Sequence, residues 1–160
     1  GAVFDIQKLN WINSQYVKNL SSEEFKKIAG VPELPDGAVR IVTERLEKLS
    51  DVQNFDYFWK EPEYDKELLK WKKSNLEKSL ETLVGVQKII SALGGPASGW
   101  EKDNLRKILD DFSSEIGDRG LVYWPLRVAL TGKEKSPDPV DVAMVLGKEK
   151  TLERVSVACK

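Results

Sequence analysis

The stretch SSEEFKKIAG, residues Ser21–Gly30, contains the start and the stop of a complete helix. The Ser21 hydroxyl can accept a hydrogen bond from the backbone three residues later while Glu24 reaches back, which is a capping box. Phe25 and Ile28 then share one face of the helix. Gly30 is the residue type that most often follows a helix end. This short stretch therefore predicts a helix that is closed at both ends.

The same signals recur in both directions from this stretch. Apolar residues at spacings of three and four predict further helices, and capping boxes at Ser50–Gln53 and Ser98–Glu101 mark two of their starts. The predicted helical segments are 6–16, 39–49, 52–59, 65–93, 100–116, 124–131, 140–146 and a last one from Lys148. No segment alternates with a period of two between hairpin turns. We therefore predict an all-α chain of roughly eight or nine helices joined by short loops.

Composition excludes several classes of enzyme. The chain has 160 residues with no His and one Cys, Cys159, which excludes His-ligated zinc, Ser-His-Asp and Cys-His catalysis and a disulfide framework. Calcium-loop spacing and glycine-rich phosphate cradles are absent from the sequence. No apolar run approaches the roughly 20 residues that span a bilayer. We expect a cytoplasmic chain that holds no metal or cofactor and catalyses no reaction by itself.

Charge is unevenly distributed along the chain. The formal net charge is −1, but residues 119–160 hold eight Lys/Arg against five Asp/Glu. A basic C-terminal third can contact phosphates, and it can equally be an ordinary helix surface with salt bridges. Charge alone leaves both interpretations open.

One arginine stands out in an apolar helix. The segment LVYWPLRVALTG, residues Leu121–Gly132, contains Arg127 among apolar neighbours, and we predict that its guanidinium emerges at an edge of the bundle. The pair Trp124-Pro125 is predicted to begin this helix, because proline lacks only an N–H that has no partner in a first turn. A fixed arginine suits a planar partner such as a carboxylate, a phosphate or a base edge. The alternative is an arginine that pairs with a buried carboxylate or a loop carbonyl.

The same segment carries a resemblance to a known family. WPLRVALTG at 124–132, Ser136-Pro137 and LGKE at 146–149 resemble the C-terminal end of bacterial-type glutamyl-tRNA synthetases. KLNWIN at 8–13 and ERLEKLSD at 44–51 are similar to earlier segments of the same enzymes, in the same order. The class I signatures, His-Ile-Gly-His and Lys-Met-Ser-Lys-Ser in their usual forms, are missing. The resemblance therefore implies the C-terminal part of such an enzyme, whose ATP-binding catalytic domain lies outside this sequence.

The resemblance also implies roles for particular residues. Arg127 aligns with an arginine that contacts the anticodon, and Ser136, Pro137 and Asp138 fall in a loop that contacts the first anticodon bases, partly through backbone groups. Lys48 falls where some members carry an arginine that reads the third base, and Arg45 lies one turn earlier. Because lysine lacks the planar fork of arginine, discrimination between glutamate and glutamine tRNAs is weakened there.

Other basic and aromatic residues receive simpler expectations. Lys133 and Lys135 are expected to steer phosphates. Trp11, Trp100 and Trp124 are expected to pack in the interior rather than to stack on bases.

The resemblance implies three segments, which agree with proline- and glycine-rich breaks at Val31–Gly37 and Gly94–Pro96. Residues 1–32 are the remainder of a helical element that contacts the tRNA stem. Residues 33–95 and 96–160 are two small helical bundles that form an anticodon-binding cage. The implied partner is the anticodon loop and inner stem of glutamate tRNA, and the implied parent enzyme is monomeric and contacts no membrane. The alternative is a helical protein-interaction domain that binds no nucleic acid.

Overall fold

The computed structural model describes residues 5–94 and 99–160, apart from the side chain of Trp11. Within these ranges the chain forms eight α-helices and two 3₁₀-helices and no strand, which confirms the predicted all-α class. The chain divides into an N-terminal unit, Gly1–Lys60, and a C-terminal unit, Glu61–Lys160. The α-helices are α1 Ile6–Lys18, α2 Ser22–Ala29, α3 Asp36–Thr43, α4 Leu76–Ala92, α5 Lys102–Ile116, α6 Arg119–Thr131, α7 Pro139–Leu146 and α8 Lys148–Ala158. The 3₁₀-helices are Leu49–Phe58 and Lys66–Leu69.

In the N-terminal unit, α2 forms as the sequence predicts. The Ser21 Oγ accepts from the Glu24 N–H at 3.3 Å, and the Glu24 carboxylate accepts from the Ser21 N–H at 2.9 Å. Gly30 ends the helix with a φ of 68°, in the left-handed region that glycine adopts without steric cost. Phe25 is fully buried and anchors the helix in the unit. The capping box and the glycine at its end explain why this short helix forms.

The apolar stripe of α1 is exposed. Asp5 caps this helix by accepting from the Lys8 N–H at 3.1 Å, and the predicted helix at 6–16 is confirmed. Its apolar residues at helical spacing nevertheless lie at the surface of the unit; they are Ile6, Leu9, Ile12 and Tyr16. Among the side chains of α1 that the structure describes, Val17 is the buried one.

The predicted capping box at Ser50–Gln53 is wrong. The helix begins at Leu49 with Lys48 as its N-cap, and the Asp51 carboxylate accepts from the Lys48 N–H at 3.2 Å. The segment that follows is a 3₁₀-helix in which Phe55 departs from helical geometry, with φ −108° and ψ 20°. The irregular backbone of this segment places four apolar side chains in the core of the unit, namely Val52, Phe55, Tyr57 and Phe58.

In the C-terminal unit, α6 lies at the centre. It packs against α4, α5, α7, α8 and the second 3₁₀-helix. Its buried side chains include Val122, Leu126, Val128 and Leu130, and the neighbouring helices α4 and α5 contribute the fully buried Leu83, Leu105 and Leu109. A helix that is apolar on most of its circumference is expected at such a central position.

The predicted long helix at 65–93 is wrong. The chain forms the short 3₁₀-helix Lys66–Leu69, turns, and begins α4 only at Leu76. Asn75 ends the turn, because its side-chain oxygen accepts from the Lys78 N–H at 2.8 Å. The turn is also held by the Ser79 Oγ, which accepts from the Trp71 N–H at 3.0 Å. Asn at an N-cap competes successfully with helix continuation, which the leucine spacing alone did not show.

The predicted start of α6 at Trp124-Pro125 is wrong as well. The helix begins at Arg119, and the Asp118 carboxylate caps it by accepting from the N–H groups of Gly120 at 2.8 Å and Leu121 at 3.3 Å. Pro125 lies inside the helix. Proline has no N–H, so one backbone hydrogen bond of the helix is missing there. The packing of α6 against its neighbours stabilises the helix despite this loss.

The predicted helix at 39–49 is wrong in its bounds, because α3 begins at Asp36 and ends at Thr43, before Leu46 and Leu49. The other helix ends lie close to the predicted positions. Gly117 and Gly132 end α5 and α6 with φ values of 79° and 67°. Pro139 is the first residue of α7, and α8 begins at Lys148. Gly95, Pro96 and the capping residue Ser98 lie outside the described residues. The borders proposed at 32/33 and 95/96 stay predictions about functional segments.

Within the described parts of the chain, none of the helices is both long and apolar enough to cross a membrane.

Candidate functional site

The candidate site begins at Arg127, in the C-terminal half of α6. Its guanidinium is partly buried and donates through Nη1 to the Ser136 Oγ at 2.8 Å, to the Pro137 carbonyl at 2.9 Å and to the Ser136 carbonyl. The sequence left open whether Arg127 binds an external planar partner or pairs within the protein. In the structure Arg127 pairs with two carbonyl groups of a loop. The side chain lies at an edge rather than sealed in the core. Arg127 thus fixes the backbone of the loop that connects α6 to α7, residues 133–138.

A second arginine holds the far end of the same loop. Arg106 on α5 donates through Nη2 to the Asp138 Oδ1 at 2.9 Å and through Nη1 to its Oδ2 at 3.2 Å. Asp138 also caps α7, because Oδ1 accepts from the Val140 N–H at 2.9 Å. Partial burial works to raise the pKa of Asp138, but the bonds from Arg106 and from the backbone outweigh it and lower that pKa. The carboxylate is therefore ionised and committed to holding the loop.

The other predicted residues of the loop differ in exposure. Pro137 is buried, Ser136 and Lys133 are partly buried, and Lys135 is exposed. The Lys133 N–H donates to the Thr131 Oγ1 at 3.2 Å, which continues the last turn of α6 into the loop. All six of the C-terminal candidates thus belong to one short region around a fixed backbone; they are Arg127, Lys133, Lys135, Ser136, Pro137 and Asp138.

Arg45 and Lys48 belong to the N-terminal unit. Both are exposed; the Arg45 guanidinium donates to the Ile41 carbonyl at 3.0 Å, and the Lys48 Nζ lies 3.9 Å from the Asp51 carboxylate. Lys48 lines a cavity of about 250 Å³ together with Tyr16 and Ile28. Lys48 is therefore accessible to a ligand beside an exposed aromatic ring.

Sequence reasoning missed Arg106. Lys102 and Arg106 are four residues apart on α5. Lys102 pairs with Asp141 on α7 at 2.6 Å, and Arg106 pairs with Asp138, the residue that caps α7. Two basic residues at helical spacing on a predicted helix indicate a charged face of that helix. Nothing in the sequence showed that these two helices are neighbours.

The two tryptophans described have different environments. Trp100 is buried, in agreement with the prediction. Trp124 is partly buried, donates from Nε1 to the Leu68 carbonyl at 2.9 Å, and has its ring centroid 5.7 Å from that of Trp71. The side chain of Trp11, which the sequence predicts to pack in the interior, is not among the described residues.

Among the described residues, no group of three or more His, Cys, Asp or Glu side chains is arranged to hold a metal ion. The arrangement around α6 is instead a helical frame that presents a backbone loop between basic residues. This geometry is a helical scaffold in which two arginines hold one loop in place.

Residues 6–159 match the family model described as the anticodon binding domain, and the chain belongs to this family. It is 33% identical over 170 residues to the glutamate–tRNA ligase of Clostridium acetobutylicum and 34% identical over 173 residues to that of Clostridium kluyveri. These alignments cover 98% and 99% of this chain but only 34% of each relative. The chain therefore spans about a third of the length of the curated relatives that it matches.

Solved structures agree. A glutamate tRNA ligase from Elizabethkingia meningosepticum, crystallised in complex with its amino acid, superposes with a TM-score of 0.78 at 27% identity, over 99% of this chain and 33% of that chain. The glutamate–tRNA synthetase of Elizabethkingia anophelis gives a TM-score of 0.70 at 27% identity, over 99% and 32%. These matches confirm the resemblance to the C-terminal region of bacterial-type glutamyl-tRNA synthetases.

Proposed function

We propose that this chain recognises the anticodon of glutamate tRNA as part of a glutamate–tRNA ligase. The observation that carries the proposal is the match of residues 6–159 to the anticodon binding domain. The glutamate–tRNA ligases that align over nearly the whole chain support the choice of tRNA. The parent enzyme is cytoplasmic and monomeric, and its other two thirds bind ATP and form the glutamyl ester.

The loop at 133–138 is the proposed reader of the first anticodon bases. RNA loops are recognised by splaying bases outward and by hydrogen-bonding their edges. A backbone reader requires its peptide groups at fixed positions, because rotation of one peptide unit moves both a donor and an acceptor. Arg127 holds two carbonyl groups of the loop, and Arg106 holds its end through Asp138. Pro137 adds a fixed φ.

The basic side chains near this loop have a second role in the proposal. Lys133 and Lys135 attract the phosphates that flank the anticodon, since a lysine on a flexible stem acts as a point charge without sequence preference.

In the N-terminal unit, Lys48 and Arg45 contact the third anticodon base. The exposed Tyr16 ring beside Lys48 offers a face on which that base can stack. A lysine makes one directed contact where an arginine makes two, so discrimination at the third position is weaker in this chain than in relatives that carry arginine there.

The test is a binding titration with short RNAs. Fluorescence anisotropy measures the Kd of the chain for an anticodon stem–loop carrying a glutamate anticodon and for the same stem–loop with each anticodon base changed in turn. We expect the wild-type chain to prefer the glutamate anticodon, and we expect Arg127→Ala to raise its Kd about tenfold, equivalent to about 1.4 kcal/mol. Arg40→Ala is the matched control, because Arg40 is exposed and its guanidinium pairs with Glu44 one turn away.

Three outcomes are informative in this titration. Loss of binding in Arg127→Ala but not in Arg40→Ala supports the proposal. Equal affinity for all anticodons contradicts anticodon recognition. Absence of RNA binding by the folded wild-type chain favours the alternative of a helical protein-interaction domain.

A further inference from the structure

A lysine-rich turn links the second 3₁₀-helix to α4. Residues 70–73 read Lys-Trp-Lys-Lys, and we name them the lysine turn. All three lysines are exposed, and so is Lys78 in the first turn of α4. Residues 70–78 contain these four lysines and one acidic residue, in a chain whose net charge is −1. The turn is therefore a local concentration of positive charge.

Trp71 anchors the lysine turn to α6. Its Nε1 donates to the Asp118 Oδ2 at 3.0 Å, and its ring lies beside the Trp124 ring. The turn is closed by the Ser74 N–H, which donates to the Trp71 carbonyl at 2.8 Å, while the Trp71 N–H donates to the Ser79 Oγ. Because the backbone is fixed on both sides of Trp71, the neighbouring lysines start from fixed positions.

The three lysines of the turn are not held in ion pairs within the described ranges. Lys70, Lys72 and Lys73 form no ion pair with any side chain in the described ranges, whereas Lys102 and Lys107 on α5 both do. The Asp118 carboxylate, which binds the Trp71 indole, already accepts three N–H groups, two from the α6 backbone and one from the indole. Partial burial works to raise the pKa of Asp118, but these hydrogen bonds and the positive charge of Lys73 lower it overall.

The lysine turn and the Arg127 loop lie along one face of α6. Gly120, Trp124 and Arg127 recur at spacings of four and three residues and so form a single stripe of the helix. Trp71 contacts the stripe at Gly120, and Leu68 contacts it at Trp124. Seven residues of helix separate Gly120 from Arg127, which corresponds to about 10 Å at 1.5 Å per residue. The turn and the loop are thus attached to the same stripe of α6.

We propose that the lysine turn is a phosphate-binding site for the RNA strand whose bases contact the Arg127 loop. This inference rests on the proposed function and adds a second contact region to it. Lysines at a fixed turn attract a phosphodiester chain without reading its sequence. The turn thereby supplies affinity, while the loop supplies selection of the anticodon.

The salt dependence of binding tests this division. The triple variant Lys70→Gln, Lys72→Gln, Lys73→Gln keeps Trp71 and changes only exposed side chains. Its Kd for the glutamate anticodon stem–loop is measured at several salt concentrations. Each phosphate contact contributes about 0.7 to 0.9 to the slope of log K against log salt, so we expect the slope to become shallower by about 2. We expect the preference for the glutamate anticodon over changed anticodons to stay within about twofold, because phosphates carry no sequence information.

Two further variants serve as controls. The triple variant Lys88→Gln, Lys107→Gln, Lys160→Gln removes the same charge from exposed positions outside the turn and is expected to keep the wild-type slope. Lys→Arg at the three turn positions keeps the charge and is expected to keep the slope as well. Circular dichroism establishes that each variant is folded.

The outcomes separate this inference from the proposed function. A wild-type slope in the turn variant overturns the inference, and so does an equal slope change in both Gln triples. If Arg127→Ala weakens binding while the turn variant does not, the inference alone is wrong. If the wild-type chain binds no RNA, both the inference and the proposed function are wrong.

Discussion

Gly120 is the position where the structure makes its sharpest mechanical prediction. A Cβ at this residue would lie 2.2 Å from the Trp71 Cζ2 and 2.4 Å from its Cε2, distances that real Cβ atoms do not adopt. We predict that Gly120→Ala displaces the Trp71 indole. The indole cannot move at little cost, because its N–H is bonded to Asp118 and its ring lies beside Trp124.

The expected loss follows from the contacts that break. The hydrogen bond from the indole to a carboxylate contributes about 1.5–3 kcal/mol. The aromatic pair contributes about 0.5–1.5 kcal/mol beyond its buried area. Alanine returns at most about 1 kcal/mol, because it favours helix over glycine. We therefore expect a net loss of about 1–3 kcal/mol in the free energy of unfolding, and a Tm lowered by roughly 3–10 °C for a chain of this size.

A double-mutant cycle with Trp71→Ala measures this effect directly. Urea denaturation, followed by circular dichroism, gives the free energy of unfolding for the wild type, both single variants and the double variant. If the indole is the obstacle, Gly120→Ala is destabilising in the wild-type background and neutral or stabilising when Trp71 is absent. A cost that is equal in both backgrounds would refute the reasoning, and so would a Gly120→Ala variant that is as stable as the wild type.

Three further predictions concern the frame around α6. Arg106→Ala should weaken binding of the glutamate anticodon stem–loop about fivefold, equivalent to about 1 kcal/mol for a partly exposed ion pair, and should speed hydrogen exchange in the loop before α7, whereas Lys102→Ala should change neither. The pKa of Asp138 is lowered in the folded state, so the stability that Asp138 contributes is present above the unfolded pKa of about 3.9 and is lost as pH falls through the folded pKa. Below about pH 4, the free energy of unfolding should therefore fall less steeply with decreasing pH in Asp138→Asn than in the wild type. Arg154→Leu should lower the free energy of unfolding in urea by about 1–3 kcal/mol, because it leaves a carbonyl of α6 without its donor, while Glu61→Gln at the exposed end of the same pair should cost less than about 1 kcal/mol.

The sequence predicts a helix well where both of its ends carry a chemical signal. The helix α2 has a capping box at Ser21 and a glycine at its end, and its predicted and observed positions agree. The helix α7 likewise begins at Pro139. In the segment 65–93 the leucine spacing continues across the turn at 70–75, so that periodicity alone predicts one unbroken helix. The side-chain bonds of Asn75 and Ser79 instead stabilise the turn, and periodicity does not reveal them.

Candidate site residues divide along the same line. Arg127 was identifiable because a charged residue inside an apolar helix needs a partner, and the structure supplies one in the loop. The pairing of Arg106 with Asp138 joins residues 32 positions apart, and no local pattern specifies which helices become neighbours. The role of Trp71 was hidden for the same reason, since its indole bonds Asp118 across 47 positions.

The stripe along α6 explains why this helix contains residues that its burial does not require. Where a central helix meets only other helices, large apolar side chains fill the space, as Leu126 and Leu130 do here. On the stripe, the absence of a Cβ at Gly120 lets the Trp71 indole approach the helix. Arg127 extends to the loop 133–138, which has no helical hydrogen bonds of its own. Each exception corresponds to a non-helical segment that has to be held still. Because both segments are fixed to one rigid helix, their separation is set by helix geometry, and a ligand that bridges them meets two surfaces at a constant spacing.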